Sequence, residues 1–155
     1  MSGGVRGVGV DTVDLGAFAA SLAEPGTRFA DAFTATERRQ CRERAAARGA
    51  DPSSSAPARR EDPLARHLAV RWAVKEAVIK AWSAALYGSP PPIAPDLLRW
   101  QEIETVCDAW GRPAVRLSGE VARQVAATVG QDVRWHVSLS HDGDTAVAFV
   151  VLEGP

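Results

Sequence analysis

Hydrophobic positions fall at several distinct spacings along this chain, and each spacing predicts an element. Val5, Val8 and Val10 stand among small and polar residues in V-R-G-V-G-V-D-T-V, read as a short strand broken by Gly7 and Gly9 and ending at Asp11. Leu15, Phe18, Ala19 and Leu22 then keep helical spacing until Pro25-Gly26 closes the segment. Thr34 followed three residues later by Glu37 is a capping-box signature, so a second helix starts there and runs to about Arg48. Ala50 to Pro63 is rich in Pro, Ser, Ala and charge and reads as a mobile loop within one domain. A long helix follows from Leu64 to about Tyr87, ended by G-S-P-P-P-I-A-P. W-Q-E-I-E-T-V-C alternates as a strand, D-A-W-G-R-P turns, and A-V-R-L is a second short strand. Ser118 to Val129 is helical with Gly130 as its stop. V-R-W-H-V-S-L-S and T-A-V-A-F-V-V-L, joined by H-D-G-D, predict a hairpin. Helices and antiparallel-looking strands in one domain make the expected class α+β.

On the long helix, Val70, Ala73, Val74, Ala77, Val78 and Ala81 share a wide face of small residues suited to close packing. Trp72 and Ile79 fall on the other side, so both faces are expected to be covered. Glu76 and Lys80 lie one turn apart. Taken alone they read as an i,i+4 ion pair worth about 0.2–0.5 kcal/mol. On a helix packed on two sides, however, a carboxylate among cations has to be paired or bind something.

Composition narrows the functions. With 155 residues, the chain is long enough for one domain with a real core. A net charge of −1 suggests neither a nucleic-acid partner nor a membrane surface. No run approaches the ~18 apolar residues of a membrane span, and the N-terminus has no signal-peptide pattern. Cys41 and Cys107 are far apart and fit neither a disulfide framework nor a C-x-x-C metal site. A cytosolic protein is the simplest expectation.

Two further segments carry candidate chemistry. In G-V-G-V-D the dinucleotide fingerprint is incomplete, because Thr12 stands at its third glycine. Asp11 either caps the following helix or holds a hard cation. Mg²⁺ needs only one or two carboxylates beside substrate phosphates and water, so Asp11 with Glu76 would suffice. In V-R-W-H-V-S-L-S-H-D, Val133, Trp135, Val137 and Leu139 face the core, while Arg134, His136, Ser138 and Ser140 face away. Adjacent Ser140, His141 and Asp142 are not a catalytic triad. Neighbours on a strand point to opposite faces, and the G-x-S-x-G elbow is missing. His136 reads as a structural imidazole, and His141 as either structural or a phosphate contact.

G-V-G-V-D, R-W-A-V-K-E-A-V-I-K, G-R-P and V-S-L-S-H, with F-T-x-x-E at Phe33 to Glu37, occur in an order that resembles one family. The resemblance is to the holo-acyl-carrier-protein synthases, small AcpS-type 4′-phosphopantetheinyl transferases, and it covers nearly the whole chain. It implies a small antiparallel sheet packed on a long central helix. The implied reaction moves the 4′-phosphopantetheine arm of coenzyme A to a serine of acyl carrier protein, releasing adenosine 3′,5′-bisphosphate. By the same resemblance, Asp11 and Glu76 hold Mg²⁺ and Lys80 meets the leaving phosphate. Glu76 or a metal-bound water takes the serine proton. Arg71, Lys75, Gly111, Arg112, Pro113, Ser138, Ser140 and His141 line the coenzyme A site, Arg112 standing where the family has lysine. Arg28 and Phe29 match part of the carrier-docking surface. Ala17 stands where the family has a docking arginine, which bears on docking strength and carrier choice. A cytoplasmic homotrimer serving fatty-acid and lipid biosynthesis is also implied. Two other classes compete. A non-catalytic coenzyme A-binding module would not need both carboxylates, and a metal-dependent nucleotide phosphohydrolase would use them with water.

Overall fold

The computed structural model of the chain describes residues 3–49 and 62–155. Its elements run β1 (Gly4–Asp14), α1 (Leu15–Ala23), α2 (Ala35–Gly49), α3 (Pro63–Ala85), β2 (Ile103–Cys107), β3 (Pro113–Leu117), α4 (Gly119–Val129), β4 (Arg134–Asp142) and β5 (Thr145–Gly154). Strands β1, β5 and β4 form an antiparallel sheet in that order, and β2 pairs with β3 in a separate ribbon. The α+β expectation holds. The loop expected over Ala50–Pro63 lies outside the described residues except at its end. There Asp62 caps α3 by accepting from the Leu64 N–H at 3.0 Å, and Pro63 takes the first helical turn.

The central contact is β1 against α3. Contrary to the sequence expectation, β1 is not broken at its glycines and runs on to Asp14, with one register shift between Val5 and Gly7. The reason for the glycines is proximity. A Cβ on Gly7 would stand 1.9 Å from the Ala81 carbonyl oxygen, and one on Gly9 would stand 1.9 Å from that of Ala77. Strand backbone therefore lies directly on helix backbone, and α3 meets it with the fully buried Ala73, Ala77 and Ala81. Gly9→Ala is expected to cost about 1–3 kcal/mol through this overlap. Tyr87→Phe, at a 97% exposed position away from this contact, should change little. Urea unfolding of the two variants checks the contrast.

Ala148, Val150 and Leu152 of β5, with Ile103, Val121 and Val125, complete the core around α3. Trp82 is buried in it, its indole N–H donating to Thr128 Oγ1 at 3.0 Å. Trp72 and Ile79 pack on the remaining side, so the helix is covered on two faces as its pattern predicts. The Thr34–Glu37 capping box is present with reciprocal bonds of 3.1 Å.

Three local expectations change. Asp14, not Asp11, caps α1, accepting from the Ala17 N–H at 2.7 Å, which leaves Asp11 free for other work. Trp100–Glu102 is a 3₁₀ turn, and Ile103, Glu104 and Thr105 are all buried, so β2 does not alternate in and out. The hairpin strands reach further than expected. His141 and Asp142 belong to β4, and the turn is Gly143-Asp144, with Gly143 at φ 54°.

Candidate active site

Alternation along β1 places Gly7, Gly9 and Asp11 on the side that meets α3, and the glycine contacts set how closely Asp11 approaches that helix. Asp11 is 8% exposed. Its Oδ1 accepts from Lys80 Nζ at 2.8 Å, and Lys80 also donates to the Val10 carbonyl at 2.9 Å. The ion pair read from spacing as Glu76–Lys80 is thus built mainly between helix and strand. Asp11 Oδ2 is buried without a hydrogen-bond partner. Glu76 completes the group. Burial raises its carboxyl pKa, the negative charge of Asp11 raises it further, and the Lys80 ammonium opposes the rise. Lys80 is held protonated, with its pKa raised chiefly by the bond to Asp11.

Two neighbouring carboxylates, one with an orphaned buried oxygen, are short of positive charge. The donors are hard oxygens, which suits Mg²⁺. Among the described residues, no group of three or more acidic, histidine or cysteine side chains converges. A cation bound here would find two protein ligands, with its remaining positions open to phosphate and water.

The other expected site residues divide. Arg71 is buried, with long contacts to the His67 carbonyl (3.4 Å) and Cys107 Sγ (3.7 Å), and its Nε has no partner. Lys75 is a correction. It is fully buried, pairs with Glu37 Oε1 at 2.7 Å, and donates to the carbonyls of Trp100 and Ile103. An ammonium has three donors, so none remains for a coenzyme A phosphate. Gly111 sits at φ 83° in the turn before β3, where Pro113 begins the strand. Arg112 closes that turn on Asp108 at 2.7 Å and lies over the Trp110 ring. A polar cavity of about 560 Å³ between this turn and α2 is lined by Gln40, Glu43, Arg44, Cys107, Trp110 and Gly111. Arg44 was lost to sequence reasoning within the charge run of α2.

Ser138 and Ser140 are exposed on the sheet face opposite Asp11. His141 is half-buried in the row of Ala146 and Val13, on the helix side. His136 has a partner, Glu153 at 2.6 Å, but is exposed rather than half-buried. Arg28 is exposed 3.7 Å from Asp31, and Phe29 packs edge-on against Phe18.

Two carboxylates and a protonated lysine, fixed where a glycine-rich strand lies on a helix, are equipment suited to phosphoryl transfer. The family model of the 4′-phosphopantetheinyl transferase superfamily matches residues 7–150. The chain is 48% identical over 150 residues to a Mycobacterium ulcerans holo-[acyl-carrier-protein] synthase, covering 97% of this chain and 98% of that one. The solved ACPS–CoA complex from Chronobacterium ammoniagenes superposes with a TM-score of 0.81 at 42% identity, covering 96% of this chain and 97% of that one. The Mycobacterium tuberculosis acyl carrier protein synthase gives 0.68 at 41%, covering 98% and 100%. The chain belongs to the 4′-phosphopantetheinyl transferase superfamily, within its holo-[acyl-carrier-protein] synthases.

Proposed function

We propose that this chain transfers the 4′-phosphopantetheine arm of coenzyme A to a serine of an apo acyl carrier protein, with Asp11, Glu76 and Lys80 as its catalytic group. The observation that carries the residue assignment is the orphaned, buried Oδ2 of Asp11 beside the raised carboxyl of Glu76. Mg²⁺ held there would neutralise the pyrophosphate and make its phosphorus more electrophilic. In the transfer the serine oxygen bonds to the β-phosphorus, its proton passes to Glu76 or to a water, and the bond to adenosine 3′,5′-bisphosphate breaks. Lys80 meets the charge that develops on the departing phosphate. Its raised pKa suits it to stabilise that charge as a cation, and its half-exposed side chain is open to a ligand.

Arg71, with its unpartnered Nε beside Cys107 on the cavity wall, and Arg112 at the Gly111 turn are the proposed contacts for the remaining coenzyme A phosphates. Ser138 and Ser140 face away from Asp11, so within one subunit they do not reach the same site. A homotrimer in which the outer sheet face is buried gives them a role at a neighbour's site. That face exposes Val5, Val8, Val10 and Phe149, an apolar patch of the kind interfaces cover. Arg28 and Phe29 are proposed as carrier contacts, in a single-domain, cytoplasmic enzyme of fatty-acid and lipid biosynthesis. Among the described residues no helix is long and apolar enough to cross a membrane.

Incubation with coenzyme A, Mg²⁺ and a cognate apo carrier should add the mass of one phosphopantetheine arm to the carrier. Chelator should stop the gain and added Mg²⁺ restore it. An unchanged carrier mass, with coenzyme A cleaved instead, would support the hydrolase reading. A gain that survives complete chelation would remove the metal.

A further inference from the structure

Trp110 is 80% exposed, yet the turn that carries it is closely built. Asp108 Oδ1 accepts from the Trp110 and Arg112 N–H groups, both at 2.9 Å. The Asp108 N–H donates to the Arg112 carbonyl, and the Gly111 N–H to the Asp108 carbonyl, each at 3.0 Å. Gly111 supplies the φ of 83° that the turn needs. A Cβ there would stand 2.5 Å from the Arg44 guanidinium, so a cation of α2 lies close against the turn. The ring itself is backed on one face. The Arg112 guanidinium lies over it, 5.0 Å from the centroid, and Asp108 Oδ2 holds that guanidinium at 2.7 Å. The ring also lines the polar cavity between this turn and α2. Its other face is open, and an indole left in water adds nothing to the core, so packing does not account for it.

We propose that Trp110 is a specificity-determining residue for the donor: its open face is the platform on which the adenine base of coenzyme A stacks. The inference rests on the reading above that coenzyme A phosphates lie at Arg71 and Arg112. In coenzyme A one ribose carries both the 3′-phosphate and the base. An arginine that meets this phosphate therefore brings the base within reach of the ring beside it. Trp110 is the only aromatic among the described residues that line the cavity. A base stacks on an aromatic face through its π-system, and a ring already held by its turn and by Arg112 loses little freedom when it does so.

The test titrates adenosine 3′,5′-bisphosphate by calorimetry, beside its abasic analogue 1-deoxyribose 3,5-bisphosphate, which keeps both phosphates and lacks the base. Trp110→Ala should weaken adenosine 3′,5′-bisphosphate about tenfold and leave the abasic analogue unchanged. KM for coenzyme A should rise by a similar factor, with kcat near the parent's. Trp110→Phe keeps a ring and should recover most of the loss. Tyr87→Ala is the control: it removes a ring that is 97% exposed elsewhere and should change none of these values. Parent-like affinity for adenosine 3′,5′-bisphosphate in Trp110→Ala would overturn the stacking. Equal weakening of the abasic analogue would overturn it too, since the ring would then act only by propping Arg112. A parent protein that binds neither adenosine 3′,5′-bisphosphate nor coenzyme A would overturn the coenzyme A reading itself, and this inference with it.

Discussion

Glu76→Gln should lower transfer by at least about a hundredfold while the protein stays folded. The amide keeps the shape of the side chain but removes the charge that Mg²⁺ needs. Asp11 alone, already engaged by Lys80 at 2.8 Å, then offers the cation one carboxylate. The fold should tolerate the change, because the folded protein works against the ionised form of Glu76. Burial and the neighbouring Asp11 raise its carboxyl pKa. A group whose folded pKa lies above its unfolded one binds more protons when folded. Stability of the metal-free parent therefore falls as pH rises from the ordinary carboxylate range through the raised value. The Gln variant should lack that slope. Initial rates of carrier mass gain, Mn²⁺ binding and urea unfolding across this pH window check all three parts. Near-normal turnover would remove Glu76 from the metal site.

What the sequence made legible was set by local periodicity and motif order. The capping box of Thr34 and Glu37, the small-residue stripe of α3 and the alternation of β4 are one-element properties. Each appears where its spacing predicts. The site residues became legible through the order of four motifs, because Asp11 and Glu76 are brought together only by packing. What escaped depends on contacts between distant segments. Gly7 and Gly9 read as strand breakers, since nothing local announces that Ala77 and Ala81 carbonyls lie beneath them. Lys80 read as the partner of Glu76, one turn away, although a strand 69 residues earlier supplies Asp11.

Lys75→Met should destabilise the protein by about 3–5 kcal/mol, a large share of the roughly 5–15 kcal/mol that holds a domain together. The substitution leaves the apolar stem in place and removes the only cation bonded, among the described residues, to Glu37, which is fully buried. Glu37 would keep the N–H groups of Thr34 and Thr105, two neutral donors for a full charge. The loss concentrates where three elements meet, since Lys75 joins α3 to the cap of α2 and to the start of β2. Burial lowers the pKa of Lys75 and Glu37 is the main force opposing that drop, so each charge depends on the other. The double variant Lys75→Met/Glu37→Gln should therefore be more stable than Lys75→Met alone, and the coupling read from urea unfolding measures the pair. A phosphate-contact role for Lys75 predicts the reverse pattern, with stability near the parent's and KM for coenzyme A raised. The buried pair predicts a large stability loss with KM for coenzyme A near normal at low temperature, wherever the variant remains folded.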